Sequence, residues 1–143
     1  MSKFSDTLSY LVFEQNADAK SFAEKIGVNA TCITRYLRED RFPSVENLVL
    51  LADYFQCPTD YLLGLEEENN VAGFKKCPQF PQQFDFLLKY FNYTCYKLSK
   101  ELKIHQSTLY AWKNGKRVPT VENIIKLAEF FDCRVDFILG RES

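Results

Sequence analysis

The sequence predicts an all-α protein built from two tandem five-helix domains, and three observations lead there. The chain repeats itself at an offset of 76 residues: Pro43–Gly64 falls on Pro119–Gly140 with 11 of 22 pairs identical. The register runs upstream without a gap through Leu11/Leu87, Asn16/Asn92, Phe22/Leu98, Ile33/Leu109 and Tyr36/Trp112. Within each copy the apolar residues recur at helical spacing, and no segment alternates as a half-buried strand does. Two copies at this period indicate a duplicated domain, since a solenoid needs three or more short units.

Each helix has its own reason to form. In the second copy Phe84, Leu87, Leu88 and Phe91 stand at i, i+3, i+4 and i+7, the stripe of an amphipathic helix. Thr94 caps the next helix, which turns Leu98 and Leu102 to one side. Lys103-Ile104-His105 breaks the chain briefly, with His105 at the N-cap of a third helix, and that helix buries Leu109 and Trp112. Gly115 suits the left-handed residue after a helix end. Val118-Pro119 blocks further helix and Thr120 caps a fourth, which buries Val121, Ile124, Leu127, Ala128 and Phe131. A short fifth helix carries Phe137, Ile138 and Leu139 and stops at Gly140. The first copy repeats the scheme with Asp18 and Ser44 as caps. The domains are read as 1–65 and 82–143, joined by a linker, 66–81, that is acidic and Asn-rich at first and then aromatic and proline-rich.

Composition narrows the function. Of 143 residues, 46% are hydrophobic and 26% charged, values ordinary for a globular protein. The longest apolar run, Leu48–Ala52, is far short of the roughly 20 residues of a membrane span. The acidic turn at Asp6 does not fit a signal peptide, so the expected location is the cytoplasm. Five cysteines without a CxxC pair and a single His105 indicate reduced thiols and give no metal site. No glycine-rich phosphate loop and no Ser-His-Asp array is present, so neither an enzyme nor a cofactor is expected. The net charge of −1 hides an asymmetry. Residues 1–66 carry 6 Lys+Arg against 10 Asp+Glu, a net −4, whereas residues 82–143 carry 10 against 7, a net +3.

Two helices separated by three residues form a helix-turn-helix arrangement. The pattern Thr94-x3-Leu98-Ser99-x2-Leu102-x-Ile104-x2-Ser107-Thr108-Leu109-x2-Trp112-x2-Gly115-Lys116-Arg117-x-Pro119-Thr120 resembles the phage-repressor (Cro-like, lambda-repressor-like) helix-turn-helix domain. Phe22-Ala23-x2-Ile26-Gly27-Val28-x2-Thr31-x-Ile33-Thr34-Arg35-Tyr36, then Pro43-Ser44, resembles it a second time. The resemblance implies five-helix domains that bind operator DNA as dimers, with the third helix in the major groove. Three departures stand out. The family usually has Gln at the start of the second helix, where this chain has Ala19 and Cys95. The second copy has Lys103 where the family turn prefers the glycine that the first copy supplies as Gly27. The first copy also sets Glu39-Asp40 where the second has Gly115-Lys116, and two carboxylates there would repel phosphates.

Candidate contacts follow from helix geometry. With Leu109 and Trp112 facing inward, Gln106, Ser107, Tyr110, Ala111 and Lys113 face outward. Gln pairs with adenine and Ser is permissive, so Gln106, Ser107 and Tyr110 are set toward base edges. Lys113, Asn114, Lys116 and Arg117 are set toward phosphates, which give affinity but not sequence. In the first copy Thr31, Thr34, Arg35 and Arg38 hold the outward positions, and Arg35 is suited to guanine. Tyr36 and Trp112 are core residues. Cys57 and Cys133 read as buried small hydrophobes, and Cys77 as the exposed thiol. Phe4, Tyr10, Phe13, Phe86, Tyr90 and Tyr93 remain as spare aromatics for contact between copies or chains.

The function expected is a non-catalytic transcriptional regulator that binds double-stranded DNA, as a homodimer or as an intramolecular pseudo-dimer reading half-sites about 34 Å apart. The competing reading is a protein-interaction module, a helical regulator or antitoxin-like partner-binding protein, to which the acidic first copy and the missing Gln both lean.

Overall fold

The computed structural model describes residues 2–38, 42–70 and 73–142, without the side chains of Ser2 and Lys3. Among them are ten helices and no strand. The chain divides into two compact units between Gly73 and Phe74. The first holds α1 (Ser2–Glu14), α2 (Ala19–Ile26), α3 (Ala30–Leu37), α4 (Val45–Phe55) and α5 (Thr59–Leu62). The second holds α6 (Phe80–Phe91), α7 (Cys95–Leu102), α8 (Gln106–Lys113), α9 (Val121–Phe131) and α10 (Val135–Leu139). Helices α2, α3 and α4 begin and end 76 residues before α7, α8 and α9. The fifth helices differ by one residue at their ends, and the first helices differ more: α6 starts late, with Pro81 in its first turn, where the missing N–H is no loss.

The caps explain this agreement. Asp18 accepts from the Ser21 N–H at 2.8 Å, and Thr94 from the Lys97 N–H at 3.2 Å. Ser44 and Thr120 accept from the Asn47 and Asn123 N–H groups at 3.1 and 3.2 Å. The helix ends also recur: Asn16 and Asn92, Gln56 and Asp132, and Gly64 and Gly140 all have positive φ.

The cores follow the same register. Helix α1 packs on α3 and α5, and α6 on α8 and α10. Tyr36 is buried against Phe4 at 5.9 Å between ring centroids, and Trp112 against Phe80 at 6.2 Å, 76 residues on. Phe4 is therefore a core residue rather than a spare aromatic, because its ring fills the space beside Tyr36 and Phe42. Tyr93 is half-buried against Phe130 and Phe131, whereas Tyr10, Phe13, Phe86 and Tyr90 are exposed.

The stretch 74–79 lies on the second unit. The Lys75 N–H donates to the Arg141 carbonyl at 2.8 Å, and the Arg141 guanidinium covers the Phe74 ring at 4.1 Å. Arg141 is fully buried and its Nη1 meets Asp136 Oδ1 at 2.6 Å. Gly140 has φ +83°, and a Cβ there would stand 2.6 Å from Pro78 Cδ. Only glycine admits both the left-handed turn and the proline. Cys77 is half-buried here, as Cys32 and Cys133 are, and of the pair read as buried only Cys57 is fully so.

Candidate nucleic-acid interface

Helices α7 and α8 pack against each other across the turn Lys103-Ile104-His105. Lys103 adopts φ +56°, the conformation that Gly27 takes at φ +81° in the first unit. A side chain in that conformation is strained by roughly 1 kcal/mol. His105 Nδ1 accepts from the Ser107 N–H at 3.2 Å and lies 2.8 Å from Ser107 Oγ. The acceptor role requires Nδ1 to be unprotonated. Asn29 does the same work in the first unit, accepting from the Thr31 N–H at 2.7 Å.

Leu109 and Trp112 hold the inner side of α8. Ser107, Tyr110 and Lys113 are exposed, as are Asn114, Lys116 and Arg117 beyond the helix, while Gln106 and Ala111 are half-buried. Gly115 at φ +82° turns the chain, and the Lys116 and Arg117 N–H groups bond back to the Ala111 carbonyl at 2.9 and 3.2 Å. Two cationic side chains thus leave a fixed backbone just past the exposed helix face.

Tertiary packing adds a feature that the repeat does not announce. The end of α6, the start of α7 and the outer side of α8 enclose a cavity of about 390 Å³. Thr94, Cys95, Tyr110 and Lys113 line it, together with Lys89 and Asp85. Lys89 and Asp85 pair at 3.0 Å, both partly exposed. The cavity lies at the N-terminal end of α7, and two ammonium groups, Lys89 and Lys113, are on its wall, a combination that suits an anion. Burial pushes the Cys95 thiol up and the nearby Lys113 ammonium opposes it, so Cys95 stays a protonated wall residue rather than a nucleophile.

The first unit has the same frame and other chemistry. Thr31, Arg35 and Arg38 are exposed on and after α3, whereas Thr34 is half-buried and donates to the Ala30 carbonyl at 3.0 Å. At the cavity positions Lys89 becomes Phe13, Thr94 becomes Asp18 and Lys113 becomes Leu37. Phe13 is 77% exposed. The Ser21 hydrogen bonds hold the Asp18 carboxyl below its ordinary range, so it is an anion where the second unit has a neutral hydroxyl. Glu39-Asp40 lie outside the described residues. Lys89 was not among the sequence candidates. The signal that finds it is its exchange for Phe13 at offset 76.

Comparison with known proteins gives one result. The model of the helix-turn-helix family, the Cro/C1 type, matches the chain twice, over residues 14–62 and 91–138. A search of curated proteins and a search of solved structures return no match.

Proposed function

The chain belongs to the helix-turn-helix family and carries its fold twice, and from that premise we propose a non-catalytic transcriptional regulator that reads duplex DNA with α8 of the second unit. The observation that carries this reading is the pocket beside α8 that Lys89 and Lys113 line together with Tyr110, next to exposed Ser107 and half-buried Gln106, with Lys116 and Arg117 exposed just beyond the helix. Phosphate contacts supply most of the nonspecific affinity. In this reading one phosphate sits at the start of α7 beside Lys89 and Lys113, and others meet Asn114, Lys116 and Arg117. Gln106, Ser107, Tyr110 and Ala111 then face the base edges. Thr31, Thr34, Arg35 and Arg38 of the first unit contribute less, because Phe13 and Leu37 stand where the second unit has Lys89 and Lys113, and the Asp18 carboxylate stands where it has Thr94. A second half-site, read by the first unit or by another chain, would lie one helical turn away. The working compartment is the cytoplasm, where the five thiols stay reduced.

Selection of bound duplexes from random DNA by the intact chain tests the reading. The selected sites should share a half-site, and Gln106→Ala should change the preferred base at one position, at about 1–3 kcal/mol. Absence of duplex binding at low salt overturns it. The protein-interaction reading then takes its place, supported by the exposed Phe13 of the first unit.

A further inference from the structure

Each unit has a groove between its first and fifth helices, at matching positions of the repeat. In the first unit Asp6 and Tyr10 of α1 face Tyr61 of α5, with Glu66 and Glu67 beyond it, around about 370 Å³. The Tyr10 hydroxyl donates to Glu14, one turn further along α1. In the second unit Phe86 and Tyr90 of α6 face Phe137 of α10, around about 710 Å³. Lys75 and Lys76, both exposed, form its rim, with Glu142 held by Arg134 at 3.2 Å. The aromatic floor is kept in both, Tyr10 for Phe86 and Tyr61 for Phe137, while the rim changes sign.

Phe86 is 46% exposed, Tyr90 61% and Tyr10 55%. Rings left in water on a concave face gain from burial against other rings. Pairing a groove with its own kind would set carboxylate on carboxylate or ammonium on ammonium. Pairing unlike grooves sets each rim against its opposite. We propose that two chains associate through unlike faces and reciprocally, the acidic groove in the first unit of each chain seated on the lysine-rimmed aromatic groove in the second unit of the other. The contact does not depend on DNA binding.

Charge reversal on the intact chain tests this. At about 100 µM and low salt, within the micromolar range expected of a modest interface, the chain should sediment at twice its 16.7 kDa. The variants Asp6→Lys/Glu67→Lys and Lys75→Glu/Lys76→Glu should each sediment at the single mass, with unchanged helical circular dichroism. Mixed in equal amounts, they should recover the double mass, because each then offers the sign the other lacks. Should either variant lose helicity, Lys75→Met/Lys76→Met replaces the second and Asp6→Asn/Glu67→Gln the first. The replacement should then raise the dissociation constant at least tenfold. A wild-type chain of single mass, a reversal variant that stays double, or a mixture of folded variants that stays single overturns the proposal.

Discussion

At the mouth of its second helix the first unit offers Phe13, Asp18 and Leu37, where the second offers Lys89, Thr94 and Lys113. The caps, left-handed residues and core positions behind them are nearly the same. Asp18 and Thr94 even share one structural duty, since each accepts an N–H at the same place in its helix. A carboxylate and a hydroxyl are interchangeable as caps and opposite as neighbours of a phosphate. The two units therefore teach that backbone requirements and surface chemistry vary independently on this fold. The shared helix-turn-helix frame does not give the two units the same surface.

The sharpest way to break the comparison is at the buried ion pair. Arg141→Leu gives the second unit the residue type that Leu65 supplies in the first, and leaves the buried Asp136 carboxylate with Arg134 at 3.4 Å. Loss of a buried partner is expected to destabilise the second unit by about 3 kcal/mol. Leu65→Ala, at an exposed position, should change stability by less than about 0.5 kcal/mol. Scanning calorimetry of both variants decides whether the units respond differently.

Next is the salt dependence of DNA binding. Replacing Lys113, Lys116 and Arg117 together by Ala should flatten the slope of log affinity against log salt by up to about 3 units, at about 0.9 per phosphate contact. Arg35→Ala/Arg38→Ala should flatten it by less. A larger effect from the first-unit pair would move the reading half to α3. A smaller exchange sharpens the contrast in backbone strain. Lys103→Gly should stabilise the second unit, and Gly27→Ala destabilise the first, each by up to about 1 kcal/mol. Gly27 has nothing within 4 Å of its Cβ position, so the substitution reports conformation alone. Denaturant midpoints measure both.

The smallest expected effect comes from acid. The Asp18 carboxyl titrates below its ordinary range because it accepts the Ser21 N–H. Its folded pKa is depressed, so its contribution is present above the ordinary carboxylate range and lost as pH falls through the lowered value. Thr94 has no such proton. Thermal melts between about pH 5 and pH 2 should show the Asp18→Thr variant losing less stability than the parent chain.

Much of this was legible in the sequence because local rules set it. Cap residues announce helix starts, Gly115 and Gly140 announce stops, and the apolar stripe picks out Leu109 and Trp112. What escaped depends on elements far apart in sequence. Lys89 matters because the end of α6 lies beside α7 and α8. Phe4 is core because its ring meets Tyr36, 32 residues away. The pairing of Arg141 with Asp136, under a ring from Phe74, joins the segment before the second unit to its last helix. Periodicity within a helix carries no record of such neighbours.

Trp112 has one more consequence. It is the only tryptophan of the chain, fully buried against Phe80 and Phe84, and Tyr36 stands in its place in the first unit. Indole fluorescence from the intact protein therefore reports the second unit by itself, while backbone circular dichroism sums over both. If the emission shift and the ellipticity change fall at different denaturant concentrations, the units melt as separate cooperative blocks. The order in which they do so can be observed without cutting the chain or attaching a label.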